Sequence, residues 1–256
     1  MSSRDVHSNR EDRYGPKVFI HIPKTAGTFA RSLIEQSEHE IGYAYGTGPY
    51  KMLDRMSEDE LHSIRLKQYI FGHQFLHTYE NYIPDVSDYS TIMRHPADRV
   101  ISFYNHAQNF LLPPGASKMS LLKFLNSRFR PQLQDCQVRF LCGHPIAGRY
   151  PNVEDLDAAI ANVRNGLVSV GIQELMASSL RHLPIFSCIN VPSSKEKLNE
   201  SNFGFRKESF TELELNRIRE MVSLDFELYE YCVARLRSRQ KLDEPKVALG
   251  NSGNVL

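Results

Sequence analysis

Short apolar runs alternate with stretches of helical periodicity along most of the chain. Runs rich in β-branched and aromatic residues predict buried strands over residues 17–22, 68–73, 89–94, 167–171 and 187–191. Apolar residues spaced three and four apart predict helices over residues 29–35, 57–66, 97–110, 118–128, 132–142, 153–164, 173–183 and 209–238. Because strands alternate with helices, the pattern predicts an α/β fold with helices on both faces of a mostly parallel central sheet.

A single folded domain is the simplest organisation, since the 256 residues contain no internal repeat and no low-complexity linker. We expect a disordered leader over residues 1–15, one domain over residues 16–240 and a flexible tail over residues 241–256. The leader is polar and has no apolar segment of the kind found in secretory signals. No run of about 18 apolar residues occurs, so we expect a cytoplasmic protein without an integral membrane segment. A chain separated from a membrane anchor would have the same features.

Composition and charge are those of an ordinary soluble globular protein. Hydrophobic residues make up 41% of the sequence and charged residues 24%, which is enough apolar material for a full core. The formal net charge is only +1, so no overall field favours nucleic acid, and any anion site has to be built locally. The four cysteines form no CxxC pair and no histidine cluster has metal-ligand spacing. We therefore expect free thiols in a reducing compartment and no metal site.

The turn after the first predicted strand, residues 22–28 with sequence IPKTAGT, is called the anion loop here. It precedes a predicted helix, and a helix N-terminus binds phosphate through unpaired N–H groups and the positive end of the helix dipole. Gly27 lets the backbone approach an anion closely, and Lys24 adds a mobile positive charge. Thr25 and Thr28 add hydroxyl donors. The segment therefore predicts a phosphate site.

A second candidate anion group lies about 70 residues further on, at Arg94. This arginine ends a predicted strand, and a guanidinium can hold a phosphate through two parallel hydrogen bonds. Ser102 lies two turns into the following helix and could reach the same phosphate. Arg99 could belong to this site or form a surface ion pair with a carboxylate. An Arg-x-Pro segment alone is a weak signal, but its combination with the anion loop favours a phosphate-binding edge of the sheet.

Both segments resemble motifs of one family. Residues 21–28 are similar to the 5′-phosphosulfate loop of sulfotransferases that use 3′-phosphoadenosine 5′-phosphosulfate (PAPS), with the nearest pattern in the carbohydrate branch of heparan sulfate 2-O-sulfotransferase and its bacterial relatives. Residues 92–102 are similar to the 3′-phosphate motif of this family, with His95 where aspartate is common. The resemblance covers roughly residues 17–237 and implies a P-loop-like, three-layer α/β/α fold.

The resemblance also implies roles for individual residues. The 5′-phosphosulfate is expected to be wrapped by Lys24, Thr25, Ala26, Gly27 and Thr28. Arg94 and Ser102 are expected to hold the 3′-phosphate. Lys195 and Lys197 either cover the nucleotide or lie on a solvated loop. Lys24 would balance the charge that develops on the bridging oxygen, so no metal is required. PAPS is thus the implied donor, and adenosine 3′,5′-bisphosphate (PAP) is the implied product.

In-line sulfuryl transfer needs a base that takes the proton of the acceptor hydroxyl, and histidine suits this task near neutral pH. The candidates are His21, His73, His77, His95 and His106. His73 belongs to a Gly-His pair after a predicted strand, which resembles the element with the catalytic histidine in the heparan sulfate 2-O-sulfotransferase branch, so it is the expected base. His77 is the reserve candidate, and His21 is expected beside the anion loop on the substrate side.

The acceptor is expected to be a hydroxyl of a glycan or glycolipid, because the resemblance is to the carbohydrate branch, although bacterial relatives also act on small molecules. Residues 43–50, with sequence YAYGTGPY, either line a sugar site or form a connecting loop. Arg139 either faces the acceptor or pairs with a carboxylate in the core. Further residues that could reach an acceptor are Phe103, Tyr104, Asn105, His106 and Gln108.

Two other functions are compatible with a nucleotide-binding α/β fold. A nucleotide-dependent kinase would carry the P-loop GxxxxGK[ST], but here the lysine precedes Gly27, the upstream glycine is missing, and no Walker-B carboxylate follows an apolar strand. A non-catalytic nucleotide-binding protein would keep the fold without the reactive groups. The presence of Lys24, Arg94, Ser102 and His73 argues against that alternative.

Overall fold

The computed structural model describes residues 15–37, 39–46, 49–113, 117–189 and 204–243. A sheet of five parallel strands lies at the centre. The strands are β1 (Lys17–Ile20), β2 (Ile41–Ala44), β3 (Tyr69–Gly72), β4 (Asp88–Met93) and β5 (Val168–Ile172). Their order across the sheet is β2-β3-β1-β4-β5, and each neighbouring pair is parallel. This arrangement confirms the predicted α/β fold and its central sheet.

Helices connect the strands and cover the sheet. In the described part of the chain they are α1 (Gly27–Glu35), α2 (Glu58–Arg65), α3 (Leu76–Tyr82), α4 (Pro96–His106), α5 (Leu121–Leu125), α6 (Arg130–Leu133), α7 (Cys136–Leu141), α8 (Val153–Arg164), α9 (Met176–His182), α10 (Glu212–Met221) and α11 (Ser223–Asp243). A π-helical turn, Ala107–Leu111, extends α4. Sequence signals fix several helix starts. Pro96 opens α4 where no amide hydrogen is required, and Ser57 caps α2 in a capping box with Glu60.

Side chains alternate between the two faces of the sheet and form two separate apolar cores. In β1, Val18 and Ile20 pack into a core with α7, α8 and α11. Phe19, between them, packs into the core formed with α1 and α9. A third cluster joins α4, α5 and α10 beside the sheet. The sheet is therefore the middle of the three layers that the sequence predicts.

The chain crosses the sheet so that β1 has a neighbour on each side. Ile20 of β1 pairs with Gly72 of β3, and Phe19 pairs with Ser90 of β4. From β1 the chain proceeds to β2 and β3 on one side, and from β4 it proceeds to β5 on the other. The crevice outside the carboxyl ends of strands at such a switch point is where parallel α/β sheets bind ligands. The segments after β1, β3 and β4 meet at this crevice.

The edge strand β2 is absent from the elements that the sequence predicts. Residues 43–50 were expected to be a connecting or sugar-lining loop, whereas Tyr43 and Ala44 pair with β3. Gly42 interrupts the apolar run and hides the strand signal. It is needed there because a Cβ at this position would lie 2.4 Å from Cγ1 of Ile64.

The predicted strand at residues 187–191 is wrong for the part that the structure describes. Residues 187–189 form a turn after the 3-10 turn Pro184–Phe186, and residues 190 and 191 lie outside the described ranges. The helix predicted over residues 209–238 is divided at Val222 into α10 and α11. Helix α11 ends at Asp243. Its last residues therefore lie in the segment 241–256, for which the sequence predicts a flexible tail. No helix within the described ranges combines the length and apolar character that a membrane crossing requires.

Candidate functional site

The anion loop has an unusual backbone. Lys24 has a φ of 73° and Ala26 a φ of 65°, and both values lie in the left-handed region that residues other than glycine rarely adopt. Each such conformation costs about 1–3 kcal/mol and persists where the surrounding structure requires it, often at a binding site. Ala26 is also the N-cap of α1, and no side chain caps the first N–H groups of this helix. These amides are therefore available to an external anion.

The other side chains of the anion loop have different surroundings. Thr25 is fully buried, and its hydroxyl donates to the carbonyl of Ile22 at 2.8 Å, which stabilises the turn itself. Gly27 lies against His21, since a Cβ at residue 27 would be 1.8 Å from Nε2 of that histidine. The glycine is thus required by the packing of an imidazole, in addition to the close anion approach expected from sequence. Thr28 lines a cavity next to His21.

Lys24 and Arg94 lie together in the crevice between β1 and β4. Nη1 of Arg94 donates to the backbone carbonyl of Lys24 at 3.4 Å. Burial, and then the charge of Arg94, lowers the pKa of Lys24. Burial also lowers the pKa of Arg94, while Asp98 and Glu174 act in the opposite direction. Neither cation forms an ion pair with a carboxylate in the described part of the chain, so the pair is suited to an external anion.

The backbone of Arg94 is held by Gln137, a residue of α7 that is fully buried. Its Oε1 accepts from the Arg94 amide at 3.0 Å, and its Nε2 donates to the Arg94 carbonyl at 3.0 Å. The amides of Gln137 and Val138 in turn donate to the carboxylate of Asp225, at 3.2 and 2.9 Å. Sequence reasoning assigned no role to Gln137, because its partner lies 43 positions away along the chain.

Two buried aspartates hold α7 and α11 to each other. Asp225 of α11 accepts from the first amides of α7, and Asp135 accepts from the amides of Leu224 and Asp225 at 3.0 and 3.1 Å. Burial raises the pKa of both carboxyls. Arg99 has no exposed surface and donates to the carbonyls of Gln132 and Leu133 at 3.1 and 2.9 Å. Arg99 is therefore a core cation, and the surface ion pair considered for it from sequence is excluded.

Arg139 lies near the same carboxylates. Its charge lowers the pKa of Asp135 and of Asp225, against the effect of burial. Its Nε and Nη2 are buried and have no hydrogen-bond partner among the described residues. Of the two roles that the sequence left open, the position beside a core carboxylate is the one that these contacts favour. Its predicted contact with the acceptor stays a prediction.

His21 and His73 lie side by side because Ile20 and Gly72, the residues before them, are paired in neighbouring parallel strands. Nε2 of His73 is 3.0 Å from Nδ1 of His21, and the hydroxyl of Tyr45 is 3.2 Å from the same Nδ1. Burial lowers the pKa of His73 to about 4. Burial and then the charge of His73 lower the pKa of His21 well below its ordinary value. Both imidazoles are therefore neutral at pH 7.

A cavity of about 360 Å³ opens beside the two histidines. Its described lining residues are His21, Thr28, Arg31, Tyr45, Pro49, Tyr50 and His73. The ring centres of Tyr45 and Tyr50 are 6.2 Å apart, and Tyr43 lies 4.9 Å from Tyr50. The volume suits one ring-sized ligand, and such pockets combine aromatic walls with a few polar groups. The sequence left two roles open for residues 43–50. Tyr43 and Ala44 belong to the edge strand β2, and Tyr45, Pro49 and Tyr50 line the cavity.

The remaining histidine candidates lie elsewhere. His77 is on α3, where its ring stacks on Phe75 at 5.7 Å, and burial and then the charge of His144 lower its pKa. It is not among the lining residues of the cavity. Nδ1 of His95 lies 3.5 Å from Oδ2 of Asp98 at the start of α4. The pKa of His106 is lowered by burial and then by Lys24, which places this histidine on the cation side of the crevice.

The second half of the predicted nucleotide site is described only in part. Ser102 lies half-buried on α4, and it has no hydrogen-bond partner among the described residues. Asn105, on the next turn, donates through Nδ2 to the carbonyl of Phe205 at 2.8 Å and accepts from its amide at 2.9 Å. Lys195 and Lys197 lie outside the described residues. Phe205 comes after these two lysines in the chain, and its hydrogen bonds to Asn105 place it against α4, one turn away from Ser102.

One group of potential metal ligands occurs in the described ranges, formed by Cys142, His144 and Asp155. The carboxylate of Asp155 already accepts from Nε2 of His144 at 2.6 Å, from Nη2 of Arg149 at 2.8 Å and from the amide of Asn152 at 2.8 Å. The arginine holds the pKa of this carboxyl well below its usual range. These contacts assign Asp155 to the capping box at the start of α8, where it bonds with the N-cap residue Asn152.

The fold is similar to that of a solved sulfotransferase. The structure of mouse sulfotransferase SULT7A1, complexed with PAP, aligns with a TM-score of 0.52 at 14% identity, over 89% of this chain and 88% of that chain. A sulfotransferase from Alicyclobacillus acidocaldarius aligns with a TM-score of 0.45 at 15% identity, over 87% and 96% of the two chains. No protein-family model matches the sequence, and no curated protein matches it. The chain therefore has the α/β fold seen in the mouse sulfotransferase.

Proposed function

We propose that the protein is a PAPS-dependent O-sulfotransferase, an enzyme that moves the sulfuryl group of PAPS to a hydroxyl acceptor. The observation that carries this proposal is a pair of cations, Lys24 and Arg94, that form no ion pair with a described carboxylate and lie beside two neutral histidines and a ring-sized cavity. A site of this kind attracts an anionic donor and offers a base to a neutral acceptor. The presence of PAP in the mouse structure of similar fold supports the same donor.

In this proposal the 5′-phosphosulfate lies against the amino end of α1, within the anion loop. The uncapped amides of α1 and the ammonium of Lys24 would hold its oxygens. The 3′-phosphate would lie near Arg94 and Ser102, and Lys195 and Lys197 would cover the nucleotide. Binding of the donor would neutralise the two cations that lie together in the crevice. Lys24 and Arg94 are therefore the residues whose removal should weaken donor binding most.

The acceptor would enter through the cavity and place its hydroxyl beside His73. The acceptor oxygen forms a bond to sulfur, the bond between sulfur and the bridging phosphate oxygen breaks, and that oxygen keeps the electron pair as part of PAP. The acceptor proton passes to His73, which is unprotonated at pH 7 because burial lowers its pKa to about 4. Lys24 stabilises the charge that develops on the bridging oxygen.

A metal ion has no required role in this proposal, since Lys24 supplies the positive charge that Mg²⁺ supplies in kinases. We expect turnover in the presence of EDTA. The strands on either side of β1 are β3 and β4, and the residues that follow them are His73 and Arg94. Neither strand is followed directly by the carboxylate that holds Mg²⁺ in kinases, which favours the sulfotransferase proposal over the kinase alternative.

For the acceptor, we propose a hydroxyl of a glycan, a glycolipid or a small molecule with a single ring in the cavity. The rings of Tyr45 and Tyr50 offer apolar faces on which the carbon side of a sugar ring could pack. Thr28 and Arg31 offer hydrogen-bond donors to its hydroxyl groups. Screening with radiolabelled PAPS over acceptors of these classes would identify the substrate.

Titration calorimetry with PAP, in buffer that contains EDTA, tests the donor site. We expect micromolar binding to the wild-type protein, and a loss of about 10- to 100-fold in affinity for Lys24→Ala and for Arg94→Ala, because each change removes a charged hydrogen-bond donor. Lys123→Ala, the same change at an exposed lysine of α5, should bind PAP like the wild type. If the folded wild type does not bind PAP, or if all variants bind it equally, the proposal is wrong.

A further inference from the structure

His21 connects the two halves of the proposed site. Its Nε2 lies against Gly27 in the anion loop, where an added Cβ would be only 1.8 Å away. Its Nδ1 lies 3.0 Å from Nε2 of His73 and 3.2 Å from the hydroxyl of Tyr45. The imidazole thus has one nitrogen on the donor side and the other at the histidine expected to act as base.

Burial, and then the groups that face it, keep His21 neutral. These groups are His73 after β3, whose own proton would repel one on His21, Arg31 on α1 and Lys24 in the anion loop. Tyr45, after β2, keeps its own proton because burial raises its pKa. A neutral imidazole carries one proton, on either Nδ1 or Nε2, so His21 can either donate to His73 or accept from it.

The two tautomers have different consequences for His73. If Nδ1 of His21 carried the proton, it would donate to Nε2 of His73, and the proton of His73 would lie on Nδ1. Neither nitrogen of His73 would then be free to accept a proton. If Nδ1 of His21 instead accepts, Nε2 of His73 carries the proton and Nδ1 keeps a lone pair. This Nδ1 has no hydrogen-bond partner among the described residues.

We propose that His21 is a positioning residue that accepts a hydrogen bond from Nε2–H of His73 and thereby leaves Nδ1 of His73 as the nitrogen that receives the acceptor proton. The inference rests on the proposed sulfuryl transfer. In that step the acceptor O–H bond breaks, its proton forms a bond to Nδ1, and the oxygen forms its bond to sulfur as the phosphate oxygen leaves. The imidazolium that results stays hydrogen-bonded through Nε2–H to His21.

Nuclear magnetic resonance of protein labelled with ¹⁵N-histidine measures the tautomer directly, without an acceptor. Asparagine places an amide oxygen near the position of Nδ1, whereas glutamine places its amide near Nε2. We therefore expect His73 to carry its proton on Nε2 in the wild type and in His21→Asn, and to lose this preference in His21→Gln. His62→Asn, the same change at an exposed position of α2, should leave the spectrum of His73 unchanged.

Transfer from radiolabelled PAPS to the best acceptor of the screen gives the second measurement. We expect the kcat of His21→Asn to stay within about 3-fold of the wild type, and the kcat of His21→Gln to fall by about 10- to 100-fold, which is the usual effect of losing a group that orients a reactive imidazole. PAP affinity should change little in either variant. A wild-type His73 protonated on Nδ1 would overturn the inference, and so would equal losses of kcat in both variants.

The two proposals fail in different ways. A wild-type protein that neither binds PAP nor transfers sulfuryl groups would refute the proposed function, while the spectrum of His73 would still show whether His21 sets its tautomer. A wild-type protein that binds PAP and transfers sulfuryl groups, but holds His73 in the other tautomer, would refute only the role of His21.

Discussion

Gln137 allows a direct test of how the cation at the end of β4 is held in place. Its side chain accepts from the Arg94 amide and donates to the Arg94 carbonyl, both at 3.0 Å. Gln137→Met removes both hydrogen bonds and nearly preserves the volume of a fully buried side chain. Gln137→Ala removes the same bonds and also leaves a cavity. The two variants therefore separate the hydrogen bonds from the packing.

The magnitude follows from the groups that lose their partners. A buried backbone donor or acceptor left unsatisfied costs about 1–3 kcal/mol, so loss of both bonds at Arg94 should lower the free energy of unfolding of Gln137→Met by about 2–6 kcal/mol. The cavity in Gln137→Ala should add about 1–2 kcal/mol. Because the guanidinium of Arg94 extends from the freed backbone, we also expect about a 10-fold loss in PAP affinity for both variants.

Urea unfolding followed by circular dichroism measures the stability, and calorimetry with PAP measures the affinity. Gln132→Met is the control, because this side chain is exposed five residues earlier in the chain and the hydrogen bonds of the residue are made by its backbone. The reasoning is refuted if Gln137→Met unfolds within about 0.5 kcal/mol of the wild type, the range expected of a surface change. Unchanged PAP affinity in a destabilised variant would show that Arg94 does not depend on Gln137 for its position.

Two further predictions concern the histidine pair. Gly27→Ala should destabilise the protein by about 1–3 kcal/mol, although alanine favours helices by about 1 kcal/mol, because the new Cβ would lie 1.8 Å from Nε2 of His21. In a double-mutant cycle with His21→Ala, most of this cost should vanish, because the alanine at residue 21 removes the imidazole. If the two substitutions instead have additive effects on the free energy of unfolding, the proposed clash is contradicted. The second prediction concerns pH. His73 has a pKa lowered from about 6.5 to about 4, so its contribution to stability is present above the higher value and is lost as the pH falls through the lower one. Between about pH 7 and pH 4 the wild type should lose about 3 kcal/mol more than His73→Gln in urea unfolding, and parallel pH profiles would show that the pKa is not depressed.

Much of the fold could be predicted because the buried strands are short and apolar and are separated by helical periodicity. β1, β3, β4 and β5 lie within one or two residues of their predicted positions. The edge strand β2 could not be predicted in this way, because Gly42 replaces an apolar side chain at the point where Ile64 approaches the backbone. The wrong strand at residues 187–191 has the opposite cause. In the described part of this segment, residues 187–189 form a turn in which Ile189 packs against the core instead of pairing with the sheet.

Part of the site could likewise be predicted from the sequence, and part could not. Lys24 and Arg94 follow buried strands, and parallel strands end at one edge, so their meeting could be expected from the sequence alone. The contact of His21 with His73 depends on the register between β1 and β3, which no local pattern specifies. Thr25 has the residue type of an anion ligand, yet its hydroxyl is used inside the turn.

Through Gln137 and Asp225, helix α11 is connected to the proposed donor site, although sequence reasoning gave this helix no role in the site. Asp225 holds the amino end of α7, Gln137 of α7 holds the backbone of Arg94, and Asp135 in return holds the amino end of α11. Each carboxylate lies at a helix N-terminus, where the helix dipole favours a negative charge, and the core cation Arg99 lowers the pKa of Asp225 against the effect of burial. Since the bonds of Asp225 and Asp135 to the helix amides are buried and those of Gln137 to Arg94 are partly buried, we expect a shift of α11 to be transmitted to Arg94 or to break a hydrogen bond. Substitutions that loosen the start of α11 should therefore reduce affinity for the donor as well as stability.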